Sequence, residues 1–166
     1  MKETIRLSSP LQCGSVVDGE GIRMVIWNQG CRLKCPGCHN PETHDEKGGE
    51  EVGINDLLYQ IWKEAKGHQG ITLSGGDPFL QPIENKQIAD YAHTLDLDVW
   101  AYCGQTFEQL ILEEEKRELL ESCDVLVDGP FILSLADKRL AFRGSANQRI
   151  IDVKKSLKKG EVVLYL

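Results

Sequence analysis

Three cysteines stand within eight residues in Cys31-Arg-Leu-Lys-Cys35-Pro-Gly-Cys38. Thiolates are soft ligands, and this density suits an iron–sulfur cluster or zinc. Three ligands leave one coordination position open, which a reacting site needs and a closed structural site lacks. Other readings of the same residues stand beside this one. A structural zinc site would add His39 or His44 to the three thiols. Cys35 and Cys38 alone would make a dithiol redox pair, which leaves Cys31 without a role. Cys35-Pro-Gly-Cys38-His39 also matches haem-attachment spacing, a chemistry that belongs with a secretory signal. Met1 to Pro10 lacks the basic-then-apolar pattern of such a signal, so a cytoplasmic location is expected.

The remaining candidates are less distinctive. Ser74-Gly75-Gly76-Asp77-Pro78 is a glycine turn, where backbone can take positive φ and a ligand can approach closely. Asp128 precedes Gly129-Pro130 and reads either as a turn residue or as a second acidic group at the same end of a sheet. Cys13, Cys103 and Cys123 are scattered and read as small packed thiols, with Cys103 at a strand end where it could line a site. His44, His68 and His93 sit among polar residues and are read as solvated. Lys154, Lys155, Lys158 and Lys159 are the one basic cluster, read as a solvated face.

These groups need elements to hold them. Apolar and β-branched runs predict strands over Ile22 to Trp27, Gly70 to Ser74, Leu97 to Cys103 and Asp124 to Val127. Later strands are predicted over Gln148 to Val153 and Val162 to Leu166. Apolar residues at helical spacing predict helices from Ile54 to Ala65, around Ile88 to Leu95, and from Thr106 through Ile111. Asp45 to Gly53, polar and glycine-rich, reads as a mobile connection. Strand–helix alternation calls for a mainly parallel α/β sheet with right-handed crossovers. About four such units fall short of a closed eight-stranded barrel, which takes roughly 250 residues. The expectation is one domain over residues 1–166, an open partial (β/α) barrel or a doubly wound sheet, with its site at the C-terminal strand ends. Net charge is −7, against a general nucleic-acid binder. A 41% hydrophobic and 27% charged composition, with no long apolar run, argues against disorder and membrane spans.

The order of motifs resembles the radical S-adenosylmethionine (SAM) enzymes: Cys-x3-Cys-x2-Cys after one strand, Gly-Gly-Asp-Pro after the next. Val17-Asp18-Gly19-Glu20-Gly21-Ile22-Arg23, Cys35-Pro-Gly-Cys38-His39-Asn40, Val125-Leu126-Val127-Asp128-Gly129-Pro130-Phe131 and Arg143-Gly144-Ser145-Ala146-Asn147-Gln148-Arg149 narrow the likeness. Together they resemble the activating proteins of anaerobic (class III) ribonucleotide reductases. Two positions depart from that pattern: His39, where tyrosine is frequent, and Cys103, where threonine is common.

The resemblance implies an open partial barrel in which Cys31, Cys35 and Cys38 hold a [4Fe–4S] cluster and SAM binds the fourth iron. Ser74, Gly75, Gly76 and Asp77 would cradle the methionyl end. Gly37, Cys38 and His39 would flank the adenine, and Asp128 would accept a hydrogen bond from the nucleoside. A flavodoxin-like or other low-potential donor would supply the electron. The resulting deoxyadenosyl radical would take a hydrogen atom from a glycine of the reductase. No further catalytic side chain is required. Two rivals remain at this point. One is a small radical SAM enzyme acting on a pterin-like molecule, as 7-carboxy-7-deazaguanine synthases do. The other is a non-catalytic zinc-binding module.

Overall fold

The computed structural model describes residues 1–166 as one eight-stranded sheet with five α-helices. The strands are β1 (Thr4–Leu7), β2 (Gln12–Ser15), β3 (Arg23–Asn28), β4 (Glu50–Gly53), β5 (Gly70–Gly75), β6 (Asp98–Cys103), β7 (Val125–Asp128) and β8 (Arg149–Asp152). The helices are α1 (Ile54–Glu64), α2 (Pro82–Thr94), α3 (Phe107–Leu110), α4 (Glu114–Glu121) and α5 (Val153–Lys159). Strand order is β4-β1-β3-β5-β6-β7-β8, and β2 pairs with the free part of β3.

The four central strands, β3, β5, β6 and β7, are parallel and adjacent in chain order. A doubly wound sheet would reverse direction at a switch point. The sequential order here is that of a barrel arc. The flanks are antiparallel: β1 and β2 on β3, β4 on β1, and β8 on β7. The parallel character predicted from the sequence therefore belongs to the centre of the sheet.

The central strands carry apolar residues on both faces, as a doubly covered parallel sheet requires. Val99, Ala101 and Cys103 of β6 join the main core, while Trp100 joins a second cluster with Val125, Val127 and Ile150. Ile54, Leu57 and Ile61 recur at helical spacing and form the buried stripe of α1. Thr106 and Gln109 form a reciprocal capping box that starts α3. At the N-terminal strand ends Arg23 is fully buried, donating to Thr72 Oγ1 at 2.8 Å and Ile71 O at 2.7 Å. It also pairs with Asp98 and lies 5.5 Å from the Trp100 ring centroid.

Several expectations change. Asp45 to Gly53 is not wholly a connection, because its last four residues form β4 on the edge of β1. The third predicted helix is followed by a separate one, α4. Val162 to Leu166 makes only the single bridge between Ile151 and Leu164. No helix is long and apolar enough to cross a membrane.

Candidate metal and cofactor site

The cysteine loop leaves the C-terminal end of β3 and returns through a short 3-10 turn, Pro41–Thr43. Gly30 N–H donates to Thr43 O at 2.6 Å and Cys31 N–H to His44 O at 3.1 Å, so the return strand of the loop is laid against its start. The Gly75–Gly76 turn at the end of β5 locks onto the same place. Gly76 N–H donates to Asn28 O at 2.9 Å and Asp77 N–H to Gly30 O at 2.7 Å.

Cys31, Cys35 and Cys38 are unpaired, partly exposed thiols that line one cavity of about 130 Å³. Gly76, Asp77 and His44 complete that wall. Burial raises the Cys31 thiol pKa, while the backbone amides of Leu33 and Lys34 lower it. Asn40 N–H lies 3.5 Å from Cys38 Sγ as a donor. Amides directed at sulfur suit thiolates. His44 Nε2 is buried with no hydrogen-bond partner. Three soft donors on a common cavity, amides directed at two of them, and an unpartnered imidazole nitrogen fit an iron–sulfur cluster. No three His, Cys, Asp or Glu side chains converge tightly enough to enclose a single ion.

Asp77 is 4% exposed. It accepts from Phe79 N–H at 2.9 Å, capping the turn Pro78–Leu80, and from the Cys103 thiol at 3.4 Å. Burial raises its pKa above the ordinary carboxylate value. Cys103 thus lines the site as a neutral thiol, its pKa pushed well up chiefly by burial and then by Asp77.

A larger, open cavity of about 570 Å³ adjoins the first, and Cys38 belongs to both. His39, Ser74, Gly75, Tyr102, Phe131 and Arg143 are among its walls. His39 packs on Phe131 with ring centroids 5.1 Å apart. The loop after β7 closes one side, held by Tyr102 Oη donating to Phe142 O at 2.7 Å and Arg143 Nη1 donating to Gln148 O at 2.7 Å. Arg143 Nε is buried without a partner.

The structure adds detail to the site expectations. A Cβ at Gly76 would fall 2.3 Å from Gly30 O, and one at Gly75 2.4 Å from Asn28 O. These glycines permit close contact between two loops, and a side chain there would strike backbone, not ligand space. Asp128 is 1% exposed and its carboxylate is already engaged. It accepts from Phe107 N–H at 2.7 Å and from Arg149 Nη2 at 2.6 Å and Nε at 3.0 Å. It lines neither cavity, and what the structure shows for it is a structural role. Gly37 also lies outside both linings, with positive φ and its Cα face against Leu133. His44, read as solvated, is at the thiol cavity, and the walls Phe131, Tyr102 and Gln148 were not anticipated. Cys103 had a signal in its strand-end position, and His44 one only in the zinc alternative, through its place six residues after Cys38.

A family model described as 4Fe-4S single cluster domain matches residues 17–151. The anaerobic ribonucleoside-triphosphate reductase-activating protein of Haemophilus influenzae is 36% identical over 147 residues, covering 81% of this chain and 90% of that relative. The protein of the same name from Enterobacteria phage T4 is 34% identical over 140 residues, covering 81% and 86%. That from Escherichia coli K12 is 34% identical over 145 residues, covering 80% and 90%. Among solved structures, QueE from Escherichia coli superposes with a TM-score of 0.51 at 14% identity, covering 62% of this chain and 53% of that one. That likeness speaks for the fold, a partial barrel of the same kind. With three thiols on one cavity at the mouth of that barrel, and relatives matched over four-fifths of its length, the chain belongs to the iron–sulfur family of anaerobic ribonucleoside-triphosphate reductase-activating proteins.

Proposed function

We propose that the protein activates an anaerobic ribonucleoside-triphosphate reductase by radical SAM chemistry, with Cys31, Cys35 and Cys38 holding a [4Fe–4S] cluster. The observation that carries this is the shared cavity of the three thiols, walled by Asp77 and Gly76 and opening on the larger cleft. When bound, the cluster and SAM supply one-electron cleavage of the sulfonium C5′–S bond and hydrogen-atom abstraction from a glycine of the reductase.

The chain's own residues bind and orient. Asp77 presents a desolvated carboxylate beside the thiols and suits the ammonium of a methionyl group. The Asn40 amide donates toward Cys38 Sγ, and the backbone amides of Leu33 and Lys34 oppose the rise that burial imposes on the Cys31 thiol. Ser74, His39 and Phe131 border the larger cleft, whose volume lies in the range of small-ligand pockets. Its open side admits a protein loop carrying the target glycine. The electron enters from a flavodoxin-like or other low-potential donor. Six unpaired cysteines suit a reducing cytoplasm.

The test is iron and acid-labile sulfide after anaerobic reconstitution. The wild-type protein should hold both. Cys31→Ala, Cys35→Ala and Cys38→Ala should each lose the intact cluster, while Cys13→Ala and Cys123→Ala should keep it. Zinc without sulfide in the wild-type protein would contradict the reading.

A further inference from the structure

His44 stands apart from the other histidines. His93 Nε2 meets Asp124 Oδ2 at 2.9 Å, and His68 Nε2 accepts from Gly14 N–H at 3.1 Å. His44 Nε2 is buried and has no partner, and the residue borders a cavity whose other walls include all three loop thiols. A buried ring nitrogen left unpaired carries a desolvation penalty, so its retention calls for a partner that occupies the cavity. The backbone of His44 is fixed from both sides: its N–H donates to Pro41 O at 3.2 Å and its O accepts from Cys31 N–H at 3.1 Å. The imidazole is therefore carried by the cysteine loop itself, one hydrogen bond from a thiol-bearing residue.

We infer that His44 donates its Nε2–H to a sulfur of the bound cluster, either a Cys thiolate or a bridging sulfide, and thereby raises the cluster's reduction potential. The inference rests on the cluster reading above. Reduction adds one negative charge to the cluster, and a hydrogen bond to its sulfur stabilises the more negative state more strongly. An imidazole with its proton on Nε2 meets the need. Neither His39 nor Asp77 can substitute in this role. His39 faces the larger cleft against Phe131, and Asp77 is engaged as an acceptor by Phe79 N–H and the Cys103 thiol.

The experiment is an electron-paramagnetic-resonance redox titration of reconstituted wild type, His44→Leu and His44→Gln, with iron and sulfide measured on the same samples. All three should load iron and sulfide equally. At a fixed poise His44→Leu should show about a tenfold lower ratio of reduced to oxidised cluster, a fall of about 59 mV for a one-electron couple. His44→Gln keeps an N–H donor and should recover most of the shift. A fully loaded His44→Leu with the wild-type potential would overturn the inference. Loss of iron from both variants would also overturn it, because it would make His44 a ligand. Wild-type protein without iron and sulfide would sink the cluster reading on which the inference stands.

Discussion

Asp77 is a buried carboxylate beside the thiols. Its carboxylate is buried, accepts from one amide and one thiol, and has no cation in contact. Because burial raises its folded-state pKa above the ordinary 3.8, it favours the fold most when protonated. That contribution is complete below the unfolded-state pKa and is lost as pH rises through the folded-state value. Asp77→Asn, which can still accept from Phe79 N–H, should therefore raise the melting temperature of the cluster-free protein at neutral pH. The gain should disappear in acid below the ordinary carboxylate range. Thermal melts across pH check this, and a variant less stable than wild type at neutral pH would contradict it. The same contrast explains what the sequence could tell about the site. Cys31, Cys35 and Cys38 share one octapeptide, so their joint place on one cavity was legible from local spacing. The saturation of Asp128 by Arg149, and the placing of His44 beside the thiol cavity, depend on chain brought together from elsewhere.

The β5 turn, the start of the cysteine loop and the turn Pro41–Thr43 form one hydrogen-bonded unit. Gly76 is where they meet. Its missing Cβ leaves room for Gly30 O, and Thr43 O would lie 2.9 Å from that Cβ. Gly76→Ala should push the cysteine loop outward, costing about 1–3 kcal/mol by overpacking, and should reduce iron retention under chelator challenge. A variant with wild-type iron retention would contradict this coupling. Asp128 does comparable work one strand pair away, tying the start of α3 and the start of β8 to the end of β7. Asp128→Ala should lower unfolding free energy by about 2–3 kcal/mol, the scale of hydrogen bonds to a charged group, read from denaturant midpoints. An unchanged midpoint would contradict the role. The parallel centre was legible because its strands are apolar runs separated by helical periodicity. β2 and β4 were not, since four-residue flanking strands such as Gln12–Ser15 and Glu50–Gly53 bury little and carry almost no apolar pattern.

Across the whole molecule, the buried Arg23 cluster and the thiol cavity occupy opposite ends of the barrel arc. The buried Arg23, with its ties to Thr72, Asp98 and Trp100, secures the N-terminal strand ends. The thiol cavity and the larger cleft lie at the C-terminal ends. Only four parallel strands are present, so the barrel stays open. That opening accounts for how a large protein substrate reaches a site at the mouth of so small an enzyme. Sequence alternation predicted the partial arc, and the sequential order of the strands excluded its doubly wound rival. The central claim is radical transfer to a reductase. Its most direct measurement is electron paramagnetic resonance of the partner reductase mixed anaerobically with this protein, SAM and a low-potential reductant. The account predicts a glycyl-radical signal on the reductase that requires SAM and vanishes with Cys31→Ala. Cleavage of SAM with no radical on the reductase, while a pterin-like molecule is consumed instead, would contradict it.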